Sequence, residues 1–168
     1  MSRSMGGVSV RREARRDRTI QPHEHDMYRM PRKPDEPSYC QDCGAVFERG
    51  RWQWADHHRI DAVRLRCPAC SRIRDRAPMG VVTLRGEFLK ERRDEIMNLV
   101  RHEADRVTAA HPLARLMSVA EAGGDVQIAT TDLHLARRIG AALHAAYAGD
   151  LQIQYPKGGD FVRVTWQR

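Results

Sequence analysis

An α+β fold in two parts is predicted by three features of the 168-residue sequence. Four cysteines stand as two tight pairs, Cys40-Gln-Asp-Cys43 and Cys67-Pro-Ala-Cys70, with residues 44–66 between them. Beyond residue 79, apolar residues alternate between strand and helix spacing in the order β-α-β-β-α-β plus one more strand. That order is ferredoxin-like, with an added C-terminal strand. Before residue 37, large apolar residues are scarce and prolines stand at 22, 31 and 34. The predicted parts are a disordered basic tail over 1–36, a cysteine-pinned module over 37–79 and an α+β domain over 80–168.

The tail cannot bury enough apolar surface to offset the entropy of ordering it. It carries nine basic and four acidic residues over 1–34, so most of the chain's formal charge of +7 resides there. Its arginines can meet phosphates or simply keep it solvated. His23-Glu24-His25-Asp26 reads as part of the solvated tail, with weak metal binding as the competing reading.

The module at 37–79 follows from the chemistry of thiolates. Two Cys-x-x-C knuckles at this distance are the ligand pattern of a tetrahedral four-cysteine zinc site, formed by Cys40, Cys43, Cys67 and Cys70. Gly44 suits a turn that needs a positive φ, whereas Ser71 in the matching place requires another closure, and Pro68 stiffens that second knuckle. The competing readings are two disulfides, which need an oxidising compartment, or a dithiol redox pair. Cys-Pro-Ala-Cys alone has redox spacing, but no βαβ pattern precedes it and redox chemistry leaves the other pair unexplained. Arg51-Trp-Gln-Trp54 and Val63-Arg-Leu-Arg66 alternate as strands, and two strands pinned by knuckles make a zinc ribbon. His57 and His58 are competing ligands, but four thiolates already complete the shell.

In the α+β domain, Gly80–Leu84 is a short β-branched run broken by Gly86. Leu89, Ile96, Val100, Ala104 and Val107 share one face of a helix from about Glu87 to Ala110. Leu116–Glu121 and Asp125–Thr130 flank Gly123-Gly124 as a hairpin. Thr131 caps a helix over about 132–148, with Leu135, Ile139, Leu143 and Ala146 buried, Gly140 approaching the sheet and Gly149 closing the end. Leu151, Ile153 and Tyr155, then Val162, Val164 and Trp166, alternate around Gly158-Gly159.

No phosphate loop and no dinucleotide fingerprint occurs. Asp132 and His134 are the one acid–base pair in view, but positions i and i+2 point to different sides of a helix. The start of that helix, with Thr130, Thr131, Arg137 and Arg138, reads as a cap followed by exposed arginines, with a phosphate site as the competing reading. The sequence therefore predicts a non-catalytic protein. No run of about 18 apolar residues spans a membrane and no signal core follows the basic start, so a cytoplasmic location is expected.

The net charge points to a polyanion. Arg49, Arg51, Arg59, Arg64 and Arg66 interleave with Trp52 and Trp54, so guanidinium groups are expected on phosphates and indoles on bases. Packing competes for the indoles, because a ribbon this small has little other core. RNA or the ribosome is the expected partner. A protein-interaction adaptor with structural zinc is the alternative, and an enzyme ranks third. The oligomeric state is not legible.

Several segments together carry a resemblance: Cys40–Phe47, Gly50-Arg-Trp52, Cys67–Cys70, His111-Pro-Leu113 and Thr130–Gly140. Over roughly residues 37–168 the chain resembles a family of small, uncharacterised proteobacterial zinc-ribbon proteins. That family is distantly similar to the N-terminal part of the nuclear export adaptor of the large ribosomal subunit. The resemblance implies zinc ligation by Cys40, Cys43, Cys67 and Cys70, and ribosome or RNA binding through the ribbon. Nuclear export itself cannot transfer to a bacterium.

Overall fold

The computed structural model describes residues 26–56 and 61–168, together with the backbone of 8–12. Arg15, Arg16 and Arg18, His23-Glu24-His25, His57, His58 and Arg59 lie outside the described residues. In chain order the elements are β1 (Val8–Arg12), β2 (Ser38–Cys40), β3 (Val46–Glu48), β4 (Arg51–Gln53), β5 (Val63–Leu65) and α1 (Pro68–Asp75). There follow β6 (Gly80–Arg85), α2 (Glu87–Glu91), α3 (Arg93–Ala110), β7 (Leu116–Ala122), β8 (Asp125–Thr130), α4 (Leu133–Tyr147), β9 (Asp150–Tyr155) and β10 (Val162–Gln167). They build two sheets, one of four strands ordered β4-β3-β2-β5 and one of six ordered β1-β9-β10-β6-β8-β7.

The small sheet differs from a two-stranded ribbon. β4 and β5 are not partners but opposite edges, with β2 and β3 between them. The Arg49-Gly50 turn joins β3 to β4 with φ of 55° and 75°, and the Glu36 carboxylate accepts both turn amides at 2.8 and 2.9 Å. Phe47 and Trp52 lie opposite each other across that hairpin, with ring centroids 5.5 Å apart and nearly edge to face. Trp52 is thus a packing residue against the cysteines.

Of the segment before residue 37, where a disordered tail is expected, the described residues are 8–12 and 26–36. β1 pairs in parallel with β9. Nearer the ribbon, Asp26 forms an ion pair with the buried Arg72 of α1, and Tyr28 donates to Asp75 at 3.2 Å. The Arg72 guanidinium lies 4.5 Å from the centre of the Tyr28 ring. A buried guanidinium needs a carboxylate, and turn amides need an acceptor. Polar contacts fix 26–36, and a count of apolar residues cannot detect them.

In the large sheet, α3 and α4 cover one face and the core lies beneath them. Leu89, Ile96, Val100, Ala104 and Val107 are all buried, as their helical spacing requires. The predicted single helix is divided, however, because Arg92 leaves the helical region with φ −121° and ψ 26°. The break lets Phe88 pack against Tyr147 and Trp166, at centroid distances of 5.5 and 6.4 Å. Asp132, not Thr131, caps α4, its carboxylate accepting the Leu135 amide at 2.9 Å. Gly140 sits so close to the sheet that a Cβ there would meet Val164 Cγ1 at 2.5 Å.

The strand order corrects the ferredoxin-like expectation. There the fourth strand, β9, would lie beside the first, β6. Here β10 occupies that place, parallel to β6 and antiparallel to β9. β8 and β9 run the same way, so the crossover through α4 spans two strands rather than one. The apolar weight of β10 accords with the exchange, since β9 buries only Leu151 and Ile153. Val162, Val164 and Trp166 are fully buried, and a central strand buries its residues best.

Candidate metal centre

Each cysteine pair is positioned by a different local device. Cys40 ends β2, and the chain then turns so that the Gly44 amide donates to the Cys40 carbonyl at 2.8 Å, with Gly44 at φ 78°. The second knuckle closes by starting a helix. Cys67 is the N-cap of α1, its sulfur accepting the Cys70 amide at 3.4 Å, and Pro68 holds the first helical position. The amide of Ser71 donates to the Cys67 carbonyl at 3.0 Å. A helix start thus does for the second knuckle what a positive-φ glycine does for the first.

The two devices bring all four sulfurs within 4.8 Å of one another, with Cys43 and Cys67 at 3.8 Å. Zn–S bonds of about 2.3 Å in a tetrahedron require sulfurs about 3.8 Å apart, so the cluster fits such an ion. Cys40, Cys67 and Cys70 are buried, Cys43 is half-buried, and all four are free thiols. Neither expected alternative, two disulfides or a separate redox pair, describes a cluster in which both pairs converge. A donor set of four sulfurs excludes hard, oxygen-seeking cations such as magnesium and calcium.

Without an ion the thiols share protons unevenly. Cys43 is pulled down to about 4, chiefly by the hydrogen bond from the Cys67 thiol, with the Ala45 amide and the Arg115 charge assisting against burial. Cys67 is pushed up by the same bond and by burial. Burial raises Cys70 to about 11 against the opposing pull of Arg115.

Arg115, from the connector between α3 and β7, was not legible as a site residue. Its guanidinium donates to Cys43 Sγ at 3.0 Å, Cys67 Sγ at 3.3 Å and Cys70 Sγ at 3.4 Å. No spacing announces a lone arginine this far from the pairs. The nearest signal was its neighbourhood, since His111-Pro-Leu113 is among the segments that carry the resemblance. Leu113 packs against the cysteine cluster.

The expected nucleic-acid residues separate into groups. Trp52 is part of the ribbon's packing, and Trp54 donates its indole N–H to the Thr108 carbonyl at 2.8 Å, with Arg115 5.8 Å from its ring centre. Trp54 is nonetheless partly exposed. Arg49 and Arg51 are exposed beside the β3–β4 turn. At the opposite edge Arg64 donates to the Tyr39 hydroxyl at 2.5 Å, and Arg66 is ion-paired with Asp42. Arg137 and Arg138 are exposed on α4, the latter 3.9 Å from Glu103.

At the helix start that carried the phosphate alternative, both threonine hydroxyls are engaged by backbone carbonyls. Thr130 Oγ1 donates to the Asp132 carbonyl at 2.7 Å, and Thr131 Oγ1 donates to the Leu113 carbonyl at 2.6 Å. Asp132 is engaged as the cap while His134 is exposed, so no acid–base pair assembles there. Among the described residues, no helix is long and apolar enough to cross a membrane. Comparison with family models, curated proteins and solved structures found no match.

Proposed function

We propose that this chain is a zinc-ribbon protein that binds RNA, the ribosome included, through phosphate contacts. Zinc is the ion that best suits four cysteine sulfurs in a tetrahedral cluster, and its role here is structural. The observation that carries the RNA reading is the placement of Arg51 and Arg64. Strand alternation puts them on the face of the small sheet opposite Phe47 and Trp52, and both are exposed. The formal charge of +7 supports the same reading, as does the resemblance to proteobacterial zinc-ribbon proteins. Base stacking on Trp52 drops out because that indole is packed within the ribbon. The four reduced thiols suit a cytoplasmic setting.

The test is the affinity of zinc-loaded protein for ribosomes and structured RNA over a salt series. Phosphate-led binding weakens steeply as salt rises from about 50 to 200 mM. Affinity that is absent, or flat with salt, ends this reading.

A second reading is a protein adaptor, favoured by β7. That strand pairs only with β8 among the described residues, and its Val119 is 46% exposed. Such an edge accepts an added strand from a partner. Nuclease-resistant, salt-insensitive capture of a protein that is lost when proline replaces Val119, whose amide faces away from β8, would favour it over RNA.

A further inference from the structure

The guanidinium of Arg115 touches three of the four sulfurs, yet its own backbone belongs to the other sheet's scaffold. Its amide donates to Thr131 Oγ1 at 2.8 Å, its carbonyl accepts the Thr131 amide at 2.9 Å, and its Nε donates to the Pro112 carbonyl at 2.6 Å. The root of the side chain is therefore fixed to the loop before α4, and its tip is fixed to the ribbon's cysteines. A second tie runs the other way. Trp54, beyond the end of β4, donates to Thr108 in the last part of α3. Thr108 Oγ1 in turn donates to the Ala114 carbonyl at 2.6 Å. Two separate parts of the ribbon thus grip the same stretch, 108–115, of the α+β unit.

We infer that the four-cysteine centre is also the joint between the two sheets, with Arg115 as its positioning residue, so that metal binding and docking of the ribbon are one linked equilibrium. This inference rests on the metal reading above. A divalent ion held by four thiolates carries a net charge of two negatives, and one half-buried guanidinium offsets part of it. The ion holds the sulfurs together. Once they separate, Arg115 loses its three sulfur acceptors at once and keeps only the Pro112 carbonyl, and a half-buried guanidinium stripped of its anionic partners favours undocking. Linkage runs in both directions, so a weakened joint must also weaken the metal.

The experiment uses the full chain with zinc(II) alone as the probe. Native mass spectrometry gives stoichiometry, chromophoric chelator competition gives affinity, and NMR-detected hydrogen exchange follows the Trp54 indole N–H, which donates to Thr108 across the joint. Wild type takes up one zinc. Chelation speeds exchange of the Trp54 indole N–H by at least about tenfold, while the amides of β6, β8 and β10 hold. Arg115→Gln still takes up one zinc, but about 10- to 100-fold more weakly, the usual loss for a group that orients metal ligands. Arg115→Lys, which keeps the charge but not the fork, falls between. Trp54→Phe cuts the second tie without touching a sulfur, and it also weakens zinc binding.

Unchanged zinc affinity in both Arg115→Gln and Trp54→Phe overturns the inference, and so does undiminished protection of the Trp54 indole N–H after chelation. Wild-type protein that takes up no zinc overturns the metal reading itself, a result that stoichiometry alone identifies.

Discussion

Arg115 and Cys43, 72 positions apart in sequence, meet at 3.0 Å between guanidinium and sulfur. The contact is charge-assisted wherever the sulfur is a thiolate, which roughly doubles the strength of an ordinary hydrogen bond. It ties a residue with no motif to the strongest motif in the chain.

Removal of the metal should melt the ribbon selectively. Its core is small, formed mainly by the cysteines with Ala69, Trp52 and Leu113, whereas the large sheet has its own apolar core from Val82 to Trp166. Hydrogen exchange after chelation should show loss of protection over β2–β5 and α1, with β6, β8 and β10 still protected. Uniform loss across both sheets would mean that the large sheet cannot stand without the metal.

In metal-free protein whose cysteine cluster is still closed, before the ribbon melts, Cys43 should be the reactive thiol. With its pKa lowered to about 4, it is a thiolate at pH 6, while an ordinary thiol near 8.5 is about 0.3% ionised there. The raised Cys67 and Cys70 are protonated at that pH. Iodoacetamide at pH 6 should modify Cys43 first, read by peptide mass spectrometry. The preference should fade as pH falls through about 4, where Cys43 takes up its proton. Zinc should protect all four.

Arg51→Ala and Arg64→Ala should each lower RNA affinity without regard to sequence. Each phosphate contact removed should reduce the slope of log affinity against log salt by about one. Arg66→Ala should cost less, because Arg66 is already paired with Asp42. Equal slopes in all three variants would move the interface elsewhere.

Gly140→Ala should destabilise the large sheet despite alanine's better helix propensity. The new methyl would sit 2.5 Å from Val164 Cγ1 and 3.0 Å from Leu151 Cδ1. Overpacking of this kind costs about 1–3 kcal/mol, more than the gain of about 1 kcal/mol from propensity. Thermal unfolding should show a lower midpoint.

What the sequence made legible were features written in local spacing. The cysteine pairs, the Gly123-Gly124 hairpin and the buried stripe from Leu89 to Val107 all follow from neighbours within a few turns. Contacts between distant polar groups were not legible. Glu36 on the Arg49-Gly50 turn, Asp26 on Arg72 and Arg115 on the sulfurs obey no period. The tryptophans show the middle case. Their alternation with arginines places a strand at the right residues, but it cannot say which face of that strand is buried. Strand order failed for a related reason, since β10 announces that it is buried and not which strands it lies between.

The place of β10 also governs how the large sheet comes together in time. Gly80 must find Val162, some eighty positions away, before the central pair exists, whereas Ala122 and Asp125 meet across a two-residue turn. The β7–β8 hairpin can form in about microseconds, but the central pair waits on this far longer closure. Until that closure, β6 has only β8 beside it, and a Val- and Leu-bearing strand edge stands open to other chains. The slow step and the aggregation hazard are therefore one event, the arrival of Val162, Val164 and Trp166.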